Sequence, residues 1–249
     1  MRLDGKAAVV TGGARGIGAA ASRTLASRGA KVVVNYMSNT SAAEQVVADI
    51  KAAGGDAVAI KADVRNKEQV EKMIKDAKNL FGRIDILVNN AAMNFVAKPF
   101  LYMSWEEFSQ KLNDELQAAF VCTKAVIPTM MEQGSGRIIY ISSSLSRAPG
   151  PGFIAHGSAK SGLDSFVRYI AAEFGPNGIT ANAIGPSLVE TDASAFVPAE
   201  FKNQMINFTP LRRLGTPQDI AGVIAFLASD DSSYVTGAYI PGSGGQLMV

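Results

Sequence analysis

Seven short runs rich in valine and isoleucine alternate with longer helical patterns along this chain. Several runs are apolar almost throughout, which is typical of strands buried on both faces of a parallel sheet. Repeated strand–helix alternation indicates βαβ units with right-handed crossovers. The predicted strands are 7–11, 31–35, 57–61, 84–89, 137–142, 180–184 and 238–241, and the predicted helices are 16–28, 41–53, 67–81, 105–131, 156–174 and 217–228.

The alternation predicts one α/β domain over residues 1–249, a Rossmann-type doubly wound parallel sheet with helices on both faces. Prolines interrupt the pattern after residue 185, so we interpret about 187–210 as a loop-and-helix excursion, the lid of a substrate site. With 249 residues and 47% apolar side chains, the chain can build a substantial core.

Composition excludes several classes of function. A net charge of +2 without long charged runs gives no reason to expect nucleic acid. The sequence has no stretch of about 18 apolar residues, so no membrane span is predicted. The first apolar run is too short for a signal peptide, and we therefore expect a cytoplasmic protein. Cys122 is the one cysteine, so an intrachain disulfide is excluded. We predict that its side chain lies in the core. No metal site is predicted.

Residues 9–18 read VVTGGARGIG, an apolar strand that runs through a glycine turn into a helix. Glycines let a backbone turn tightly against a pyrophosphate, and the helix amino terminus offers free N–H groups and partial positive charge. The strand–turn–helix context favours a nucleotide site over a plain turn.

The second predicted strand ends VNYMS, without the acid that binds the ribose 2′-hydroxyl of NAD. Arg15 lies inside the glycine turn, and a cation there suits a 2′-phosphate, although it could simply be solvated. NADP(H) is therefore the predicted cofactor.

Two polar residues at the ends of later strands have open roles. Asp63 could accept the adenine amino group or cap the next helix. Asn89 could contact the cofactor or tie neighbouring strands.

Several independent motifs follow one another in a fixed order. They are TGGARGIG (11–18), Asp63-Val64, NNAA (89–92), ISSS (141–144), Lys160, the stretch 186–191, and FLASDDSSYVTG (226–237) followed by Gly244-Gly245. Together they resemble the short-chain dehydrogenase/reductase family over essentially the whole chain. TGGARGIG, NYMS and LRRLGTPQDIA (211–221) are typical of 3-oxoacyl-acyl-carrier-protein reductases, and NNAA and GGQLMV are similar to one branch of enoyl-acyl-carrier-protein reductases.

The resemblance implies a catalytic Asn, Ser, Tyr and Lys, a small carbonyl or acyl substrate, and a homotetramer. Ser holds the carbonyl, Tyr transfers the proton, Lys lowers the Tyr pKa and binds the nicotinamide ribose, and Asn holds a water. The implied cofactor-binding residues are Gly12, Arg15, Gly16, Ile17, Gly18, Asn35, Tyr36, Asp63, Val64, Asn90, Ala91, Lys160, Pro186, Val189 and Thr191.

Only half of the catalytic set is present. Ser143 lies thirteen residues before position 156, and Lys160 lies four after it, on the same helix face. Position 156 itself is His156, where the family has Tyr, and the Asn position holds Glu115. A second registration, with Tyr seven residues before Lys, falls on Phe153, which has no hydroxyl.

Three hypotheses follow. In the first, which we adopt, the protein is a reductase: Ser143 polarises the carbonyl and an imidazolium at His156 supplies the proton. Lys160 should lower the pKa of His156, and Glu115 should raise it if close. In the second, His156 and Glu115 form a general base for isomerisation or dehydration. In the third, the protein binds nucleotide without turnover.

Substrate contacts are predicted in the loops 93–102, 144–153 and 189–208, at the carboxyl ends of strands. Their apolar side chains suit an acyl, cyclic or aromatic carbonyl, or equally the packing under a mobile lid. These side chains are Met93, Phe95, Phe100, Phe153, Phe196 and Phe201.

Overall fold

Seven strands form one sheet in which neighbouring strands run parallel. The computed structural model describes residues 1–195 and 197–249, so the predicted substrate residue Phe196 lies outside the described residues. The strands are β1 (Ala7–Val10), β2 (Lys31–Tyr36), β3 (Asp56–Lys61), β4 (Ile86–Asn89), β5 (Gly136–Ile141), β6 (Ile179–Pro186) and β7 (Tyr239–Gly242). Their order is β3-β2-β1-β4-β5-β6-β7, so the winding reverses between β1 and β4 and the predicted doubly wound sheet is confirmed.

The helices cover both faces of this sheet, because strands without a polar face need apolar partners on each side. They are α1 (Gly16–Ser27), α2 (Thr40–Ala52), α3 (Lys67–Phe81), α4 (Trp105–Gln133), α5 (Ile154–Phe174), α6 (Ala199–Phe208) and α7 (Pro217–Ala228). One core cluster joins the sheet to α1, α2 and α7, and a second joins it to α3, α4 and α5. Cys122 is buried in the second cluster, as predicted.

Predicted and observed element ends differ by at most two residues. The run predicted from residue 84 becomes a strand only at Ile86, because the Asp85 carboxylate binds the Ala7 amide and the Arg83 side chain just before it. β6 extends to Pro186 because Gly185 and Pro186 pair with β7. Pairing across the sheet, which no single run encodes, sets these ends.

The chain leaves the alternating pattern between β6 and α7. This excursion contains a single turn at Asp192–Ser194 and then α6, and a bridge between Val189 and Gly215 closes it. None of the helices in the described parts of the chain is long and apolar enough to cross a membrane.

The excursion and the loops after β4 and β5 follow the carboxyl ends of strands, so they lie at the edge where parallel sheets bind ligands.

Candidate active site

The turn between β1 and α1 depends on glycine at three positions. Gly12 and Gly16 have φ of 60° and 51°, in the left-handed region that favours glycine. Gly18 is needed for space, since a Cβ there would lie 2.2 Å from the Gly12 carbonyl oxygen. So tight a turn lets backbone amides approach a pyrophosphate.

The amino terminus of α1 has no side-chain cap and no acid in its first turn. The helices α5 and α6 also lack a side-chain cap, whereas α2, α3, α4 and α7 are capped by Asn39, Asn66, Ser104 and Thr216. The first amides of α1 therefore keep their donors and partial positive charge for an anion. With Arg15 at the N-cap, this donor set fits the phosphates of a dinucleotide.

Asn35 holds the glycine turn from inside the sheet. Its buried side chain accepts a hydrogen bond from the Gly12 amide at 3.2 Å and donates to the carbonyls of Ile60 and Ala62 at 3.3 and 3.1 Å. These bonds commit the amide group to the backbone. Direct cofactor contact stays a prediction for Asn35 and for the half-buried Tyr36.

Asp63 is held by an arginine rather than by a helix end. Arg65 binds both carboxylate oxygens, and this hydrogen bonding lowers the pKa of Asp63. The alternative prediction that Asp63 caps the next helix is wrong, because Asn66 caps α3 by accepting from the Gln69 amide. The predicted contact with adenine stays open, as does that of Val64.

Asn89 ends β4, Asn90 follows it, and the two side chains differ in their contacts. Asn90 donates to the carbonyls of Thr11 and Gly12 at 2.9 and 3.2 Å, so it ties β4 to the glycine turn. The Thr11 hydroxyl in turn accepts from the amides of Asn90 and Ala91. Asn89 Nδ2 is buried with no hydrogen-bond partner among the described residues.

Ser143 lies directly beyond β5, in extended backbone. Its Oγ accepts a hydrogen bond from the Leu145 amide at 3.2 Å. This bond uses a lone pair of the oxygen and leaves the Ser143 O–H free to donate to another group.

Glu115 lies between two ammonium groups. One of its oxygens accepts from Lys160 Nζ at 2.6 Å, and the other accepts from Lys111 Nζ at 2.5 Å. Lys160 also donates to the Ile141 carbonyl at 2.6 Å, and Lys111 to the Met93 carbonyl at 2.9 Å. All three charged side chains are buried. We call Lys111, Glu115 and Lys160 the ion triad.

The Glu115 carboxyl group of the triad is ionised at neutral pH. Burial alone would raise the pKa of Glu115, but the Lys160 and Lys111 charges outweigh it and lower that pKa to about 2. Burial lowers the pKa of Lys111, in spite of its bond to Glu115. The triad thus places an ionised carboxylate between two lysine side chains inside the site.

His156 sits beside this triad without joining it. Its ring stacks on Phe95, with ring centroids 4.6 Å apart, and Nδ1 is buried with no hydrogen-bond partner among the described residues. The predicted His156–Glu115 pair is not formed: Glu115 accepts hydrogen bonds from the two lysines of the triad, and none joins it to His156.

The charge of His156 differs from the expected one. Burial, then the charges of Lys160 and Lys111, lower its pKa to about 3, and Glu115 opposes this only weakly. The ring is therefore neutral imidazole at pH 7. The directions predicted for Lys160 and Glu115 were right, but the prediction of an imidazolium is wrong because burial and a second lysine dominate.

Two of the three predicted substrate loops meet in an apolar groove of about 1070 Å³, open to solvent. The Lys98 amide donates to the Gly152 carbonyl at 3.0 Å and joins the loops. Phe100 and Phe153 line this groove, while Phe95 covers His156 instead. The third loop, which carries Phe201, contributes no lining residue in the part of the chain described.

Comparisons with known proteins extend over nearly the whole chain. Residues 12–246 match the family model described as enoyl-(acyl carrier protein) reductase. A 3-oxoacyl-[acyl-carrier-protein] reductase of Synechocystis sp. is 40% identical, covering 99% of this chain and 98% of its own. One from Staphylococcus aureus is 38% identical, covering 98% of both chains. A crystal structure of a dehydrogenase/reductase from Sinorhizobium meliloti has a TM-score of 0.92 at 35% identity, covering 99% of this chain and 97% of that one.

The chain belongs to the short-chain dehydrogenase/reductase family. It is an oxidoreductase of the kind represented by the 3-oxoacyl-acyl-carrier-protein reductases, a family that uses a nicotinamide cofactor. In this short-chain reductase Glu115 and a neutral His156 occupy the positions where the resemblance leads one to expect asparagine and tyrosine.

Sequence reasoning did not identify Lys111 in this reductase. The available signal was the spacing of four residues to Glu115, which places both side chains on the buried face of α4. A lysine and a glutamate together on an apolar helix face are rare unless paired. That rule predicts the bond between them, but not the second lysine from α5.

We predict that Asn35→Ala destabilises the reductase by about 2 kcal/mol or more, because the Gly12 amide and two strand carbonyls lose their buried partner. Urea unfolding measures the change. Asn79→Ala, an exposed control on α3, should stay within about 0.5 kcal/mol of wild type. Equal effects of the two substitutions would contradict the role assigned to Asn35.

The neutral ring also makes stability depend on pH. The folded pKa of His156 is about 3, below the ordinary value of 6.5, so in this window the unfolded chain binds a proton that the folded chain does not. The contribution of neutral His156 to the free energy of unfolding is fully present above pH 6.5. It is lost as pH falls, by up to about 1.4 kcal/mol per pH unit. In urea unfolding, His156→Phe should remove this slope between pH 6.5 and 5. Parallel curves for the two proteins would refute it.

Proposed function

We propose that this short-chain reductase is an NADP(H)-dependent carbonyl reductase of the 3-oxoacyl type, with neutral His156 in place of the phenol. The observation that carries the proposal is the meeting of His156, Lys160 and the Ser143 loop at the carboxyl edge of the sheet. There Lys160 binds the last carbonyl of β5, two residues before Ser143. The uncapped amino terminus of α1 opens at the same edge.

Two neutral donors would hold the substrate carbonyl. The Ser143 O–H is free because its oxygen only accepts from the Leu145 amide. A neutral imidazole offers one N–H, which can donate beside the serine as negative charge develops on the carbonyl oxygen. When bound, the reduced dinucleotide supplies the hydride to the carbonyl carbon.

The proton for the new hydroxyl would come through the imidazole ring. A neutral ring can give its N–H proton to the oxygen while its other nitrogen takes a proton from an ammonium group, so the ring never holds a net charge. Lys160 is the ammonium one helical turn away. After Lys160 has given up its proton, Lys111 still neutralises Glu115, which explains why the carboxylate has two lysine partners.

The non-redox alternative needs a His156–Glu115 base, but no hydrogen bond joins these two side chains, and the two lysines lower the pKa of Glu115 to about 2, which makes it a poor proton acceptor. The proposal also includes a homotetramer. Phe120 on α4 and Tyr169 on α5 are 51% and 74% exposed, which supports coverage of these helices by other copies.

The choice of NADP(H) rests on Arg15 and on the absence of an acid at the end of β2. We predict that Arg15→Ala weakens NADPH binding about tenfold and leaves NADH binding nearly unchanged, because only the former carries a 2′-phosphate. Fluorescence titration measures both. Arg168→Ala, an exposed arginine on α5, is the control. Equal losses for the two dinucleotides would overturn the assignment.

We expect NADPH oxidation with ketones and 3-oxoacyl thioesters. His156→Phe should lower kcat about 100-fold or more, because the proton path is cut, and His156→Tyr should keep or raise it. A relay through neutral imidazole should leave kcat without a step near pH 6.5, where an imidazolium acid would lose activity as pH rises. Saturable NADPH binding without turnover of any substrate would favour a non-catalytic protein.

A further inference from the structure

Tyr239 reaches from the edge strand β7 to the catalytic serine. Its phenolic O–H donates to the Ser143 backbone carbonyl at 3.0 Å, across the end of β6. Burial raises the pKa of Tyr239, so the phenol stays protonated and remains a donor at neutral pH. The proposed mechanism uses the Ser143 side chain but leaves this second contact unexplained.

Gly185 on β6 makes that reach possible. A Cβ at this position would lie 1.9 Å from the Tyr239 hydroxyl oxygen and 2.2 Å from Cζ, distances at which no side chain fits. Its φ lies outside the left-handed region, so space rather than backbone freedom requires glycine here. The pair Gly185 and Tyr239 is thus one structural unit.

The segment 142–147 around Ser143 is held from α5 as well. The buried carboxylate of Asp164 accepts from the Ser142 hydroxyl at 2.6 Å and from the Ser146 hydroxyl at 2.7 Å. Arg147 lies 3.8 Å from the same carboxylate, and its guanidinium stacks on the Tyr239 ring, 4.3 Å from the centroid. Bonds from two elements therefore fix the residues on both sides of Ser143.

We propose that Tyr239 is a positioning residue for Ser143. With only neutral donors at the carbonyl, the serine hydroxyl must be held in place before the substrate arrives, because preorganised donors cost no rearrangement during reaction. A shift of about 1 Å in a positioning contact can cost on the order of a hundredfold in rate. The proposal rests on the reductase function proposed above.

A double-mutant cycle tests this role. Tyr239→Phe, which removes only the hydroxyl, should lower kcat about five- to tenfold and leave NADPH affinity unchanged. In a Ser143→Ala background, where there is no hydroxyl to position, Tyr239→Phe should change kcat no further. Tyr234→Phe, at a fully exposed tyrosine, is the control and should match wild type. Equal losses in the two backgrounds would show a merely structural role and overturn the proposal.

The glycine offers a second arm. Gly185→Ala should lower the thermal midpoint by several degrees because the new methyl group meets the Tyr239 ring. Gly185→Ala/Tyr239→Val should recover the midpoint but not kcat, since the steric conflict is gone and the hydroxyl is still missing. Recovery of both stability and full kcat by this double variant would overturn the proposal.

A third measurement separates this inference from the function on which it rests. The Leu145 amide donates to Ser143 Oγ, so its hydrogen exchange reports the order of the serine segment without any substrate. Tyr239→Phe should speed that exchange about tenfold, and Tyr234→Phe should not. Unchanged exchange would overturn the positioning role. Faster exchange in a protein without turnover would leave that role standing and reject the reductase function alone.

Discussion

The buried carboxylate of Glu115 is the interaction on which the site depends. Its two oxygens bind ammonium groups from two helices, Lys111 on α4 and Lys160 on α5. A buried charge of this kind is stable only when it is paired, so removal of Glu115 would leave two buried lysines without their counter-ion. The triad therefore fixes how α4 and α5 place their side chains at the carboxyl edge of the sheet.

The state of His156 follows from the triad. Two positive charges and burial favour the neutral ring over the imidazolium. A neutral ring cannot be the acid that a lone titrating histidine suggests, but it can pass a proton onward. In the reaction we propose, neutral donors must be placed accurately, and the bonds of Asp164 and Tyr239 hold the segment around Ser143.

Much of the fold could be read from the sequence, because buried parallel strands leave a clear apolar pattern between helices with regular spacing. The helix over residues 67–81 was predicted to the residue, since its caps are local: Asn66 before it and Gly82 after it. The capping role offered for Asp63 was wrong: Asn66 caps α3, and the Asp63 carboxylate is bound by Arg65, only two residues away. Strand ends that depend on pairing, such as that of β6, were not predictable from one run of residues.

The site was predictable where the chemistry lies in a motif and not where it lies in contacts between elements. Ser143, His156 and Lys160 follow from spacing. The triad is completed by Lys160, 45 residues after Glu115, and Tyr239 meets a serine 96 residues before it. No local pattern reports such meetings. The charge of His156 was misjudged because burial, which only the packed fold reveals, is the largest influence on its pKa, and Lys111 on α4 adds to the effect of Lys160.

The most direct test of this account is the protonation of His156 itself. It is the only histidine in the chain, so its ring gives one NMR resonance pair that can be followed from pH 8 to pH 4. We predict no titration in that range, because burial and the triad keep the ring neutral. A full titration centred near pH 6.5 would contradict the account, because the ring would then carry charge independently of the triad.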